Sequence, residues 1–390
     1  MRRETQVELI RELLAHHAAG TTQLADDTLA LPAQVYISES HWQAEQEALF
    51  RRRPVMACLS GAVAEPGDYV SLTVGGVPLL VVRGDDGELR AFRNVCRHRA
   101  SSVVSGCGSG AASLRCPFHA WTYRLDGSLL ARPQAGEGFA GTDESELGLV
   151  PVPVGEASGV VFVRPEGDES VDAAGLVGDA AQDLEDFAVG GYVPFDRWES
   201  SWPCNWKLLV DTFLESYHVF SLHRTTVGRY YLSQPMTYRG YGPNLRFQTC
   251  QKSILELAES PEDQWELLSR ATVEYLIAPN TILSHSVDHF AVYQFLPTAA
   301  DHTDVTMTLY TPGPVTDRTR PHYERTLELH QKVGAGEDFP QAVKIQQSLS
   351  SGLVTETLVG RHEVALIHFH QALDQLIQSG KKRIRMGQNP

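Results

Sequence analysis

The sequence predicts an α+β protein in two parts: a small antiparallel β domain, then a larger domain of mixed strands and helices. Two observations carry this. Between about residues 64 and 164, short β-rich runs alternate with turn residues. Beyond about residue 200, strand-like runs share the chain with apolar residues at helical spacing. A chain of 390 residues, 42% hydrophobic, has room for two or three cores of roughly 150 residues each.

In chain order, Val7, Ile10, Leu13 and Leu14 recur at helical spacing and predict a helix over 5–17, with another over 39–50. Residues 1–50 therefore read as a helical arm. The β domain, 51–164, has strands at 69–74, 77–83 and 89–94, the last two joined by the turn Asp85-Asp86-Gly87. A second series follows at 121–125, the Asp126-Gly127 turn, and 150–164. Residues 165–200 are acidic and rich in Gly, Ala and Pro, with one helical patch over 176–187, and read as a linker. The second domain, 201–390, opens with a helix over 205–218. Strands follow at 272–278, 281–286, 291–295 and 305–312, then helices at 323–332, 340–349 and 364–378.

Composition narrows the function. With 48 Asp+Glu against 33 Lys+Arg, the net charge of −15 repels phosphate backbones and anionic membranes, which excludes nucleic-acid binding by bulk charge. No stretch approaches the ~18 apolar residues of a membrane span, and the N-terminus alternates charged and apolar residues, so a cytoplasmic protein is expected. Six cysteines are too few and too irregularly placed for a disulfide scaffold. The fifteen histidines are the more unusual count.

The sharpest local feature is Cys96-Arg97-His98, followed after seventeen intervening residues by Cys116-Pro117-Phe118-His119. Each loop offers one thiolate and one imidazole, whereas a structural zinc finger usually groups its ligands as a Cys pair and a His pair. The mixed loops suit a two-iron cluster in which Cys96 and Cys116 hold one iron and His98 and His119 the other. A zinc site on the same four residues, or unliganded packing, is the alternative. Cys58, Cys107, Cys204 and Cys250 read as packing residues.

These loops resemble those of the Rieske family, and the flanks Asn94-Val95-Cys96-Arg97-His98-Arg99 and Cys116-Pro117-Phe118-His119-Ala120-Trp121-Thr122-Tyr123 extend the likeness. The family commonly has Gly where Ala100 and Ala120 stand, so a slightly different loop shape is expected there.

A second cluster lies in the 205–223 segment. Asp211, Glu215 and His218 stand at i, i+4 and i+7, on one face of a helix. His223 lies five residues beyond His218, about 140° further round an ideal helix, so the two imidazoles share a metal only if the helix unwinds or bulges between them. Asn205-Trp206-Lys207, Glu215, Tyr217-His218 and His223 resemble the catalytic alpha subunit of the Rieske non-haem iron oxygenases.

That resemblance, over roughly 35–380, implies a helix-grip catalytic domain and a mononuclear Fe(II) held by His218, His223 and a distant carboxylate. Asp338 is the candidate for the third ligand, with Glu337 the local rival and Asp288 the remote one. Glu215 is implied to carry electrons from a Rieske histidine of a neighbouring subunit to an iron ligand. Glu rather than Asp there tilts the likeness toward choline and carnitine monooxygenase-like members. The implied activity is a terminal oxygenase that hydroxylates or oxidatively demethylates a small quaternary amine or aromatic substrate with O2. NAD(P)H supplies electrons indirectly through a ferredoxin and/or flavin reductase, and a homotrimer is implied.

Phe213, Tyr217, Phe220, Tyr230, Tyr231 and Phe247 are candidate pocket walls, and His285 and His289 candidate pocket contacts. A Rieske electron-transfer protein with a non-catalytic binding domain, and a zinc-stabilised binding protein, are the competing functions.

Overall fold

The computed structural model describes residues 1–387, and the chain separates into two compact units. One comprises Gln46–Leu176 with Ala188–Tyr192. The other comprises Met1–Glu45, Val177–Phe187 and the chain from Val193 onward.

The first unit is the small β domain. Leu89–Arg93, Val77–Arg83, Tyr69–Val74 and the short Cys107–Gly108 form a four-stranded antiparallel sheet in that order. Gly75 and Gly76 close the first hairpin with φ of 57° and 78°, the left-handed pair that a two-residue turn demands. Leu114–Arg115, Thr122–Tyr123 and Leu129–Ala131 make a second sheet, and Val154–Ala157, Val160–Val163 and Val55–Leu59 a third. Its core gathers Leu80, Val82, Phe92, Leu114, Trp121, Tyr123, Leu125 and Leu149 around Cys96 and Cys116. Cys107 departs from the packing role expected of it: it sits exposed on the sheet's short last strand. Cys204 and Cys250 are buried, which pushes both thiols up to about 12, as inert packing cysteines behave.

The second unit is built on a seven-stranded antiparallel sheet. Its order is Val193–Trp202, His302–Thr311, His289–Ala299, Thr281–Ser286, Ala271–Ile277, Asn244–Cys250, Thr237–Tyr241. The helices Arg320–Val333, Phe339–Ser350 and Val364–Gly387 follow the sheet in sequence. The protein is therefore α+β, as its sequence predicts.

Three boundaries differ from the expectation. The expected linker 165–200 ends in a ten-residue strand, Val193–Trp202, at the edge of the large sheet. Its residues alternate between half-buried and exposed, so it lacks the apolar alternation that marks a strand with one buried face. The remainder is divided: residues 165–176 and Ala188–Tyr192 cluster with the β unit, Val177–Phe187 with the second unit.

The helical arm is not a free leader either. The helix Arg3–Ala19 buries Leu9, Ile10 and Leu13, and its Arg11 pairs with Glu262 at 2.5 Å. Glu45 at the end of this region is fully buried, receiving the Lys207 ammonium at 2.5 Å and the Trp206 indole N–H at 2.9 Å. Burial opposes the charge of Glu45, but Lys207, His41 and Trp206 outweigh it and lower the carboxyl below its ordinary value. Finally, the helix expected over 205–218 stops at Asp211.

Candidate metal centres

In the β unit the two Cys/His loops have the same backbone design. The Cys96 N–H donates to the Ser101 carbonyl at 2.8 Å and the Ala100 N–H to the Cys96 carbonyl at 3.0 Å. The second loop repeats this, Cys116 to Trp121 at 2.8 Å and Ala120 to Cys116 at 3.0 Å. Ala100 and Ala120 take φ of 58° and 59°, so both loops keep the left-handed conformation natural to glycine and bear its cost of about 1 kcal/mol per alanine.

Cys96 and Cys116 are buried free thiols, and the His98 and His119 rings meet edge to face with centroids 4.5 Å apart. His98 lies stacked on Trp121, and its buried Nδ1 has no hydrogen-bond partner. A buried ring nitrogen with no partner beside two buried thiols is a donor set that suits a [2Fe-2S] cluster. Tyr123 donates its O–H toward Cys96 Sγ at 3.3 Å while accepting the Arg97 N–H at 2.9 Å.

In the second unit, the helix Trp206–Asp211 is capped by Asn205, whose side chain accepts the Lys207 N–H at 3.1 Å. Beyond Asp211 the chain turns irregularly to His218 and makes one short helix, Val219–Leu222, before His223. The break therefore comes mainly before His218, and a single turn separates the two histidines, whose rings lie 5.0 Å apart at 75°. Gly228 allows the return: a Cβ there would sit 2.4 Å from the Val219 carbonyl oxygen.

Because the helix stops, Asp211, Glu215 and His218 do not share one helical face. Asp211 instead accepts from Tyr36 at 2.7 Å and pairs with His370 at 2.9 Å. Glu215 stays with His218, one carboxylate oxygen accepting its backbone N–H at 3.0 Å and the other contacting ring Nδ1. The third carboxylate arrives from far along the chain. Helices Arg320–Val333 and Phe339–Ser350 are joined by a wide π turn, Gly334–Asp338, the kind of irregular helical turn found at functional sites. It turns both Glu337 and Asp338 toward the histidines. Glu337 accepts from His223 Nδ1 at 2.6 Å and from the Thr226 hydroxyl at 2.7 Å.

Asp338 Oδ1 lies 3.0 Å from His223 Nε2 and 3.6 Å from His218 Nε2, yet it is buried with no hydrogen-bond partner. His218, His223 and Asp338 offer ligand atoms all within 4.8 Å of one another, the one such group among the described residues. Each histidine has its Nδ1 held by a carboxylate and its Nε2 turned inward, the usual support for a metal-binding imidazole. The donor set suits a two-histidine, one-carboxylate iron site with open positions. Burial works against charge on His223, but Asp338 and then Glu337 outweigh it and raise the ring above its ordinary value. Glu337 thus stands behind a histidine and not among the inward-facing donors, and Asp288 lies elsewhere, beside His289 and His322.

Residues 53–152 match the family described as the Rieske [2Fe-2S] domain, and 189–379 the ring hydroxylating alpha subunit (catalytic domain). The chain belongs to the Rieske-type ring-hydroxylating oxygenase alpha subunits. It is 32% identical over 204 residues to the carnitine monooxygenase oxygenase subunit of Acinetobacter pittii, covering 51% of this chain and 53% of that one. It is 34% identical over 239 residues to the chloroplastic choline monooxygenase of Beta vulgaris, covering 59% and 49%. The chain spans about half the length of the curated relatives it matches. Its fold is similar to that of a solved quaternary ammonium Rieske monooxygenase, with a TM-score of 0.74 and 22% identity over 89% of this chain and 95% of that one. The cofactors of these two domains are a [2Fe-2S] cluster and a mononuclear iron.

Next to the triad the protein has a cavity of about 670 Å³, bordered by His218, His223 and Asp338. Of the aromatic residues anticipated as walls, Phe213, Tyr230, Tyr231 and Phe247 line it. Tyr217 and Phe220 do not: they are 67% and 69% exposed, and Tyr217 rests on His362. His289 lines the cavity, whereas His285 is buried against Phe187 and Phe290, which pushes its ring down to about 3.

Sequence reasoning missed Glu274, Tyr293 and His330, all on the cavity wall. A signal for the first existed. Thr272 and Glu274 pair across the sheet with Ser286 and Ser284, so polar residues at every second position mark one face of two apolar strands. Burial pushes the Glu274 carboxyl up to about 8, with the Ser284 hydroxyl opposing and Asp338 reinforcing.

Proposed function

We propose that this protein is the terminal oxygenase component of a multi-component monooxygenase acting on a small quaternary amine. In this proposal Cys96, His98, Cys116 and His119 hold the Rieske cluster, and His218, His223 and Asp338 hold the mononuclear iron. The observation that carries it is the partnerless Asp338 oxygen facing two imidazole nitrogens, each imidazole anchored from behind by a carboxylate. Bound Fe(II) would supply O2 activation at its open positions.

The chain's own residues do the rest. Glu215 and Glu337 fix the two rings so that Nε2, and not Nδ1, faces inward. Glu215 also has the role of passing electrons from the Rieske histidine of a neighbouring copy, which makes a homotrimer the working assembly. NAD(P)H supplies those electrons through a ferredoxin and/or flavin reductase, and the cytoplasm is the compartment. Phe213, Tyr231 and Phe247 give the cavity apolar walls that exclude water once substrate fills it.

The preference for a quaternary amine over an aromatic ring rests on Glu274. Burial holds this carboxyl at about 8, and a fixed cation beside it favours the ionised form and is bound by it, whereas a neutral ring offers no such gain; the ring faces attract the cation as well. Two measurements test the proposal. Purified protein should contain about three irons and two sulfides per chain; iron stopping at two, or zinc without sulfide, would sink it. With a surrogate reductase, quaternary amines should stimulate NADH and O2 consumption, and Glu274→Gln should raise KM for them by about tenfold while sparing kcat. Stimulation by aromatic substrates alone would overturn the substrate class.

A further inference from the structure

On the cavity wall, four side chains are linked in a row that the iron chemistry does not use. Tyr293 Oη lies 3.0 Å from His330 Nδ1, His330 Nε2 lies 3.1 Å from His289 Nε2, and His289 Nδ1 lies 3.3 Å from Asp288 Oδ1. Tyr293, His330 and His289 all border the cavity. Asp288 closes the row at a partly exposed position, 39% accessible, where His322 and the Tyr323 hydroxyl also meet it.

With both imidazoles neutral, the row has one consistent hydrogen order. An ionised carboxylate only accepts, so Asp288 takes the Nδ1–H of His289. A neutral imidazole carries one proton, which leaves His289 Nε2 as an acceptor for the Nε2–H of His330. His330 Nδ1 then accepts, and Tyr293 donates its O–H to it. Asp288 is lowered to about 2, chiefly by its hydrogen bond to His289, and burial pushes His330 down to about 3, so both charge states in this order are the stable ones. With its proton committed to His330, the Tyr293 oxygen has only lone pairs left to offer. The turn that holds Asp288 against His289 is strained: Val287, a β-branched residue, takes a φ of 57°.

We propose that this row makes Tyr293 a hydrogen-bond acceptor that reads an O–H or N–H group on the substrate, so that Asp288 sets the cavity's selectivity without touching the ligand. The inference deepens the proposed oxygenase function and rests on that cavity being the substrate site. A substrate with a hydroxyl is then preferred over its methyl ether, which offers no donor.

The test measures dissociation constants on the intact protein under anaerobic conditions without reductase, using choline against choline O-methyl ether, and phenol against anisole. The native protein should favour the hydroxyl member of a pair by about tenfold, and Tyr293→Phe should remove the preference. Asp288→Ala is the decisive variant. It removes the acceptor that holds the His289 proton on Nδ1, so both hydrogen orders become available, the Tyr293 O–H is freed in part of the population and the preference for the hydroxyl weakens. Nitrogen-15 spectra of the histidines give a second readout independent of turnover. His289 should carry its proton on Nδ1 and His330 on Nε2 in the native protein, with a mixture of tautomers in Asp288→Ala.

Discrimination only within the phenol pair would refute the quaternary-amine proposal and leave this inference standing. Native protein that discriminates in neither pair overturns it. So does Asp288→Ala with unchanged selectivity and unchanged tautomers.

Discussion

The two candidate metal centres share imidazole donors but are assembled in opposite ways. The cluster loops draw their donors from Cys96 to His119, on two turns with the same hydrogen-bond pattern and the same left-handed alanine. The triad joins His218 and His223 to Asp338, which is more than a hundred residues away, and it needs an interrupted helix at one end and a π turn at the other. A local site of this kind is specified by spacing. A distributed site is specified by whatever positions its parts, here Glu215 and Glu337 behind the two rings.

The contrast is broken most directly by removing one donor from each site. Asp338→Asn should lower iron from about three to about two per chain, with the visible spectrum of the cluster intact and turnover reduced at least about a hundredfold. Cys116→Ser should do the converse, stripping colour and sulfide while the mononuclear iron remains. Metal analysis and absorption spectra of the two variants check both.

A smaller effect separates ligand from support. Glu337→Gln should weaken iron binding at the triad by about 10- to 100-fold without eliminating it. The same site should depend on pH. In the metal-free protein, burial disfavours a charged His223 but the Asp338 and Glu337 carboxylates prevail, so the folded state holds this proton more tightly than the unfolded chain. That stabilisation is fully present below the ordinary value of 6.5 and is lost as pH rises through the raised one. Iron needs the neutral ring, so its affinity should fall as pH drops through the same range, as titrations with Fe(II) across that range would reveal.

In the β unit, Tyr123→Phe removes the hydrogen bond to Cys96 sulfur. The cluster's midpoint potential should fall by about 60 mV, the equivalent of a hydrogen bond worth roughly 1.4 kcal/mol. The smallest change expected is from Ala120→Gly, which relieves the left-handed strain and should stabilise the unit by about 1 kcal/mol, measured by thermal melting with the cluster loaded.

How much could be read beforehand follows the same division. The strands around Tyr69–Val74 and Val77–Arg83 were legible because each has turn residues at its ends and apolar residues between them. The strand Val193–Trp202 was not, since an edge strand with half-exposed faces carries little hydrophobic signal and its acidic, Pro-containing run resembles a linker. Glu45 gave no sign of being a buried anchor, because its partners Trp206 and Lys207 are over 150 residues away. The 205–218 pattern suggested an uninterrupted helix, and its periodicity is real as far as Asp211. Beyond that point, contacts to Tyr36 and His370 draw Asp211 away from Glu215 and His218.

The sequence by itself determined the donor types and the cluster loops, because each loop closes through backbone hydrogen bonds within six residues and needs nothing distant. It also narrowed the carboxylate expected beside His218 and His223 to Asp338, Glu337 or Asp288. Only the tertiary structure decided which of them faces both rings. All three are carboxylates of equal chemistry, and what separates them is the direction in which the backbone aims each one. The π turn points Asp338 between two Nε2 atoms and Glu337 behind one ring, while the strained turn at Val287 commits Asp288 to the histidine row across the cavity.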